Sequence, residues 1–375
     1  MKIGIITQPL HNNYGGLLQN YALQHVLKRL GHDVITLDQK NAPVSRLRII
    51  ASFIKTFILK LIGKDSKRKY YFELNDKQKA YISKHTKYFV GKYINHTQPM
   101  YKTEDFRLYC INNQIDGLIA GSDQVWRPLY NNNIYRSFFD FAEGLKIKRY
   151  SYAASFGVDC WEFTEEQTFK CKKLLELFNA ISVREESGVD LCETYFNRKA
   201  EFVLDPTMLL DKEDYEELVK NENEPISSGN LFTYILDESE EKTIIINQVA
   251  QSLDLVPFKV MPKSCANRQT IKQIDDCVFP SVTKWLRAFM DAKFVVCDSF
   301  HGTVFSIIFN KPFIIIGNKE RGLSRFSSLL KTFELQNRMI SSNLDTVIDT
   351  PINWNKVNII HDELKRKAID YLTKI

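Results

Sequence analysis

The sequence predicts an α/β protein of two domains. Its 375 residues exceed the roughly 250–300 that a single hydrophobic core usually organises. A strand–helix–strand pattern occurs over residues 2–37 and again over residues 231–260. A further apolar strand, Phe294 to Cys297, leads through a short polar turn into another apolar segment. With 44% hydrophobic and 26% charged residues, the chain is neither disordered nor fibrous.

The first strand–helix–strand unit contains a polar loop between strand 2–7 and its helix. Gly31 ends the helix, residues 32–37 form the second strand, and the crossover should be right-handed. The loop, predicted over 8–16, ends in small and polar residues: Asn13, Tyr14, Gly15 and Gly16. It lacks both the GxGxxG spacing and the lysine of a phosphate-binding loop. It therefore predicts either a tight turn or a ligand loop.

A basic segment follows at 46–70. Between residues 41 and 70, eight basic residues face one acid, Asp65, which gives +7 and leaves −1 for the rest of a chain of net charge +6. The charge is local, so we expect no nucleic-acid partner. Arg48 to Lys64 has helical apolar spacing but is too short and too charged to span a bilayer. It predicts either an interfacial helix on anionic lipid or a solvated helix packed on protein.

Two polar turns in the middle of the chain follow predicted strands. Strand 117–120 leads to Gly121, Ser122, Asp123 and Gln124, which predict either a ligand-binding turn or a helix N-cap. After a strand at 149–156 and a helix at 165–178, strand 180–184 ends in Arg184. Its guanidinium fits an anion ligand, or a surface ion pair with Glu185 or Glu186.

The second half begins after strand 201–204, which Asp205 and Pro206 end. The charged stretch 211–223 predicts a domain junction, so the domains are 1–210 and 211–375. Predicted strands and helices then alternate: strand 231–236, helix 241–253, strand 256–260, helix 281–290, strands 294–297 and 312–317, and a last helix 362–372. We expect that last helix to pack back on the first domain.

His301 is the leading catalytic candidate. It lies in the turn 297–302, at the carboxyl end of a predicted parallel strand, where α/β proteins gather ligands. Imidazole titrates near neutrality and suits general acid–base chemistry. Arg321 and Arg325 follow the next strand and predict either anion ligands or surface arginines.

No metal or disulfide is expected. The seven cysteines form no CxxC pair, which favours reduced thiols, and no HxxxH or DxD motif is present. The first residues form a strand and lack the regions of a signal peptide, which predicts a cytoplasmic protein. The basic segment leaves open an association with the inner face of the membrane.

Six segments of the chain form a pattern that reaches from near the amino terminus to Phe313 and excludes the basic segment. They are NNYGGLLQNYAL (12–23), DGLIAGSDQVWRP (116–128), SYAASFG (151–157), ISVREESG (181–188), FVLDPTMLL (202–210) and CDSFHGTVFSIIFNKPF (297–313). In this order the six segments resemble the polysaccharide pyruvyl transferase family.

The resemblance implies two Rossmann-like domains facing across a cleft, as in glycosyltransferase-B enzymes. It implies transfer of pyruvyl from phosphoenolpyruvate, a co-substrate, to two hydroxyls of one sugar, which forms a cyclic ketal without a cofactor. The acceptor would be a capsule, exopolysaccharide or cell-wall precursor, lipid-linked or nucleotide-linked in some cases.

The resemblance also assigns roles to the candidate residues. His301 and Arg184 match catalytic and donor-binding positions. Ser299 stands where some relatives have arginine, so either another cation holds the donor or the donor is held differently. Arg321 and Arg325 are our candidates for such a cation at the donor. The remaining predicted positions are donor-binding Ser299 and Gly302, and acceptor-binding residues on the N-terminal side: Asn13, Tyr14, Gly15, Gly16, Gly121, Ser122, Asp123 and Gln124.

Two other functions fit the same sequence. One is a glycosyltransferase of this architecture that uses a nucleotide sugar. The other is an inactive relative that organises glycan synthesis at the membrane, suggested by Ser299 and the basic segment.

Overall fold

The computed structural model describes residues 1–40, 74–267, 270–317, 324–340 and 344–375. The predictions made for segment 46–70 and for Arg321 lie outside these residues. No helix in the described part of the chain is long and apolar enough to cross a membrane.

The first half is built on a parallel sheet. Its strands are β1 (Lys2–Ile6), β2 (Asp33–Thr36), β3 (Gly117–Ala120) and β4 (Lys148–Ser151), in the order β2-β1-β3-β4. Two short parallel strands, β5 (Ser182–Val183) and β6 (Glu201–Phe202), continue it through isolated bridges from Tyr150 to Ala180 and from Ala154 to Val183. The inner strands are buried apolar runs because helices cover both faces of a parallel sheet.

The helices of this half begin at polar caps. They are α1 (Tyr14–Arg29), α2 (Asp76–Ile82), α3 (Lys84–Tyr93), α4 (Thr103–Asn112), α5 (Glu165–Leu175) and α6 (Glu186–Phe196). The Asn13 side chain accepts a hydrogen bond from the Gly16 N–H at 3.1 Å and starts α1. The predicted loop was wrong at its end, because this cap places Gly15 and Gly16 inside the first helical turn.

The second half has its own parallel sheet, in the order β11-β10-β9-β7-β8. The strands are β7 (Leu231–Tyr234), β8 (Pro257–Phe258), β9 (Phe294–Cys297), β10 (Phe313–Ile316) and β11 (Met339–Ile340). The helices are α7 (Lys212–Asn221), α8 (Glu240–Ser252), α9 (Val282–Asp291), α10 (Phe300–Ile308), α11 (Ser324–Thr332), α12 (Leu344–Asp349) and α13 (Trp354–Thr373). The predicted α/β class is confirmed.

The charged stretch expected at the domain junction is helical. Helix α7 buries Tyr215, Leu218 and Val219 and packs against α9. Its apolar side chains are spaced three and four residues apart, which gives a buried stripe without a continuous apolar run. The boundary at residues 210 and 211 stays a prediction.

The last helix contacts the first half of the chain. It begins at Trp354, eight residues before the predicted start, with the Asn353 side chain as its cap. The Tyr371 hydroxyl donates to the Ser151 carbonyl at 2.8 Å, at the end of β4. His361 Nε2 lies 2.7 Å from the Met208 carbonyl oxygen. These contacts tie α13 to the segment that follows β6.

A cleft of about 1030 Å³ lies where the carboxyl ends of the two sheets meet. Its walls include residues that follow β1, β2 and β3 on one side and β7, β9 and β10 on the other. Ligands of open α/β sheets bind at this position, outside the strand ends.

Candidate active site

The turn that bears His301 is fixed by the buried Asp298. The Asp298 carboxylate accepts hydrogen bonds from the Leu236 N–H at 2.7 Å and from the Asp237 N–H at 3.2 Å. Lys242 Nζ lies 2.6 Å from the same carboxylate. These bonds join the ends of β7 and β9, so the start of helix α10 is held rigidly at the cleft.

Helix α10 begins at the cleft without a side-chain cap. Ser299 is the N-cap residue, in extended conformation, and its hydroxyl makes no capping hydrogen bond. The first N–H groups of a helix have no carbonyl partner within it and favour an anion. Ser299 and His301 both line the cleft, as predicted donor and catalytic positions would.

The His301 ring lies between residues of the other half of the chain. Its Nε2 is buried and 3.6 Å from Asp205 Oδ2. The opposite edge of the ring lies over Gly15, where an added Cβ would be 2.1 Å from both Cγ and Nδ1. Gly15, predicted to contact the acceptor, therefore makes room for the histidine.

Asp205 connects most of the polar residues of this region. It is 2% exposed and precedes the 3₁₀ turn Pro206–Leu209. Its Oδ1 accepts hydrogen bonds from Thr207 N at 3.0 Å and Thr207 Oγ1 at 2.7 Å. Its Oδ2 accepts from Ser122 Oγ at 2.9 Å and Arg184 Nη1 at 2.8 Å. Burial favours the neutral acid, but His301 and Arg184 outweigh it and hold the pKa of Asp205 well below its usual range.

Arg184 lies behind the cleft wall. Besides Asp205, its guanidinium is 3.3 Å from Glu185 Oε1 and 3.7 Å from Asp123 Oδ1, and it stacks 4.2 Å from the centre of the Phe300 ring. Burial alone would lower the pKa of Arg184, but the surrounding carboxylates raise it above its usual value. The predicted ion pair with Glu185 is present, but its position on the surface was wrong, because both side chains are buried. Arg184 is absent from the cleft lining among the described residues.

The turn after β3 contributes to the cleft without starting a helix. Asp123 adopts a left-handed conformation, with φ of 73°, and lines the cleft together with Gln124. Ser122 bonds to Asp205, and Gly121 packs against Ile5 and Thr7. The helix-cap alternative was therefore wrong.

The family model for polysaccharide pyruvyl transferase matches residues 13–320. The chain belongs to the polysaccharide pyruvyl transferase family. The resemblance carried by the six sequence segments is thereby confirmed. No curated protein matches the chain significantly.

Two solved structures share the fold of this pyruvyl transferase family member. The UDP-GlcNAc 2-epimerase of Neisseria meningitidis, bound to UDP-GlcNAc, has a TM-score of 0.51 at 10% identity and covers 100% of this chain and 98% of the epimerase. The spinosyn rhamnosyltransferase SpnG has a TM-score of 0.51 at 10% identity over 100% of both chains. At such identity the likeness shows the fold alone, and it confirms the predicted glycosyltransferase-B-like architecture.

Among the described residues, Arg325 is a cation in the cleft wall on the side of His301. It is 8% exposed, and its guanidinium is 5.8 Å from the centre of the Phe300 ring. Burial, followed by the charge of Arg184, lowers the pKa of Arg325 to about 10. The alternative of a surface arginine was wrong for Arg325. Gly302, another donor candidate, packs beneath the turn against Cys297 and Tyr234.

Asp205 and Phe300 were not predicted from the sequence as residues of this site. Asp205 was treated only as the end of a strand, although it follows a strand's carboxyl end just as Asp123 and His301 do. That position was the available signal. Phe300 carried no signal, since an aromatic residue beside a histidine does not reveal that two guanidinium groups lie near its ring.

Proposed function

We propose that this polysaccharide pyruvyl transferase uses phosphoenolpyruvate to form a cyclic pyruvyl ketal on two hydroxyls of one sugar in a glycan precursor. The observation that supports this most is the placement of His301. Its imidazole lines the cleft at an uncapped helix start and has a buried carboxylate, Asp205, at its back.

The chemistry needs one group that gives and then takes a proton. Protonated His301 donates a proton to C3 of phosphoenolpyruvate, which makes C2 an oxocarbenium-like electrophile. One sugar hydroxyl adds to C2, and its proton passes to the phosphate group, which later leaves as hydrogen phosphate. A second hydroxyl of the same sugar then displaces phosphate from C2, and the neutral imidazole accepts that hydroxyl's proton. Mass and charge balance with inorganic phosphate as the other product.

The donor has two anionic groups, and the cleft supplies partners beside the histidine. Arg325 lines the cleft on the side of His301, and its guanidinium can pair with a donor carboxylate or phosphate. The first N–H groups of α10 and the Ser299 hydroxyl provide further donors. Arg325 is therefore our candidate for the cation that position 299 lacks.

The acceptor would lie against the wall from the first half of the chain. Asn13, Tyr14, Asp123 and Gln124 line it and carry the hydrogen-bonding groups that sugar hydroxyls require. A lipid or nucleotide carrier on the sugar would extend along the cleft past Lys87 on helix α3. A peripheral membrane contact through segment 46–70 stays a prediction.

A coupled assay tests the proposal. The protein is incubated with phosphoenolpyruvate and sugar acceptors ending in galactose, glucose, mannose or N-acetylhexosamine. We expect phosphate release together with the mass gain of a pyruvyl ketal on one of them, and loss of both in His301→Gln. A rise in thermal midpoint with a nucleotide sugar but not with phosphoenolpyruvate would favour the glycosyltransferase. Binding of neither donor, with no product, would favour the inactive relative.

A further inference from the structure

The contact between His301 and Asp205 crosses the two halves of the chain. His301 belongs to helix α10 at the end of β9, whereas Asp205 follows β6 in the first half. Gly15 of α1, which packs on the same ring, also belongs to the first half. The imidazole is therefore oriented by groups that belong to the opposite half of the chain.

We propose a new role for Asp205, as a positioning residue for His301. Asp205 holds the hydrogen of the neutral His301 ring on Nε2, which leaves Nδ1 as the nitrogen that exchanges protons with substrate. This inference rests on the proposed function for its catalytic meaning. Its structural content, the orientation of the ring, can be measured separately.

Elimination supports the assignment of the two nitrogens. Nε2 is buried and has no hydrogen-bond partner within 3.5 Å among the described residues, and Asp205 Oδ2 lies just beyond that distance at 3.6 Å. Catalytic hydrogen bonds are often this long in a free enzyme and shorten when substrate binds. Nδ1 is the ring nitrogen that remains, on the edge over Gly15 at the start of α1. A carboxylate can only accept, so the hydrogen between this pair belongs to Nε2.

Hydrogen bonds to both oxygens hold the Asp205 carboxylate in place and favour its ionised form. Thr207 fixes its Oδ1 through two hydrogen bonds, while Ser122 and Arg184 hold Oδ2. A fixed anion at Nε2 stabilises the imidazolium that forms whenever Nδ1 takes a proton. Arg184, which lies behind the cleft wall, thus acts on the reaction by fixing Asp205.

Asp205→Asn tests this role, because the carboxamide can place a hydrogen-bond donor where the wild-type carboxylate has an acceptor. With its oxygen still accepting from Thr207, its NH₂ group faces His301 and can only donate. The ring must then accept at Nε2 and carry its hydrogen on Nδ1. Glu185→Gln is the matched control: Glu185 is an equally buried carboxylate that pairs with Arg184 and with Ser155, and no contact joins it to His301.

The readout is imidazole ¹⁵N NMR at a pH where the ring is neutral, with the His301 signals assigned by their loss in His301→Gln. We expect Nε2–H in the wild type and in Glu185→Gln, and Nδ1–H in Asp205→Asn. In the transferase assay we expect Asp205→Asn to lower kcat roughly 100-fold or more while the KM for phosphoenolpyruvate changes less.

Nδ1–H in the wild-type protein would overturn the inference, and that measurement does not depend on whether Asp205→Asn folds. An unchanged tautomer in folded Asp205→Asn would also overturn it, as would a tautomer shift in Glu185→Gln equal to that in Asp205→Asn. Wild-type protein that shows the expected tautomers but no turnover of phosphoenolpyruvate would instead refute the proposed function.

Discussion

Gly15→Ala should displace the His301 ring. An alanine Cβ would lie 2.1 Å from His301 Cγ and Nδ1, and 2.6 Å from its Cβ. Carbon atoms in contact sit about 3.5 Å apart, so the ring or the facing half of the chain must move by about 1.4 Å. Displacement by about 1 Å can cost roughly 100-fold in rate. We therefore expect kcat for phosphate release to fall by about two orders of magnitude.

The same crowding should lower stability modestly. Overpacking costs about 1–3 kcal/mol. With an unfolding entropy of about 2.1 cal/mol/K per residue over 375 residues, the thermal midpoint should fall by about 1–4 °C. Gly117→Ala is the control, since a Cβ there meets only Ile3 and the Lys148 carbonyl at 3.8 and 3.9 Å. Wild-type turnover and midpoint in Gly15→Ala would refute the close contact between α1 and His301.

Three further predictions concern charge and exposure. Asp205 has a pKa below its ordinary value of 3.8, so the unfolded chain binds more protons and the free energy of unfolding should fall as the pH drops below about 4. Acid titration of Asp205→Asn should show a shallower fall, and an equally steep one would contradict the pairing. Arg325→Met should weaken phosphoenolpyruvate binding roughly 10- to 150-fold by calorimetry, because it removes a cation from the cleft wall. Unchanged affinity would exclude Arg325 from the donor site. A thiol reagent should titrate the exposed Cys160 and Cys265 in the native protein and all seven cysteines after denaturation; rapid reaction of more than two would contradict the burial of the others.

The fold was predictable because its signals are local. Buried parallel strands are short apolar runs, as in KIGII of β1 and FVVC of β9, and each is followed by a polar turn and a helical pattern. The errors lie at element ends. The start of α1 was placed after Gly16 because glycine usually indicates a loop, whereas the Asn13 cap decided the boundary. The start of α13 was missed because residues 354–361 are mixed in polarity.

The candidate residues were predictable in position but not in orientation. Arg184, Asp123 and His301 each follow the carboxyl end of a strand, so the sequence places them near the cleft. Whether a side chain then faces the cleft or the space behind it depends on neighbours far along the chain. Arg184 faces away because Asp205 and Glu185 pair with it there. No local pattern around residues 180–188 contains that information.

Arg184 and Arg325 should have different roles in this site. Three carboxylates surround Arg184, so its charge is already balanced and a donor anion gains little from it. Arg325 lines the cleft, where an incoming anion can reach its guanidinium. We therefore expect a donor anion to pair with Arg325 rather than with Arg184. Arg184 instead keeps Asp205 ionised and fixed behind His301. Substitutions of the two arginines should therefore have different kinetic effects: Arg325 variants should raise KM for the donor, and Arg184 variants should lower kcat. Arg184 variants should also destabilise the fold by about 3–5 kcal/mol, because they leave buried carboxylates unpaired.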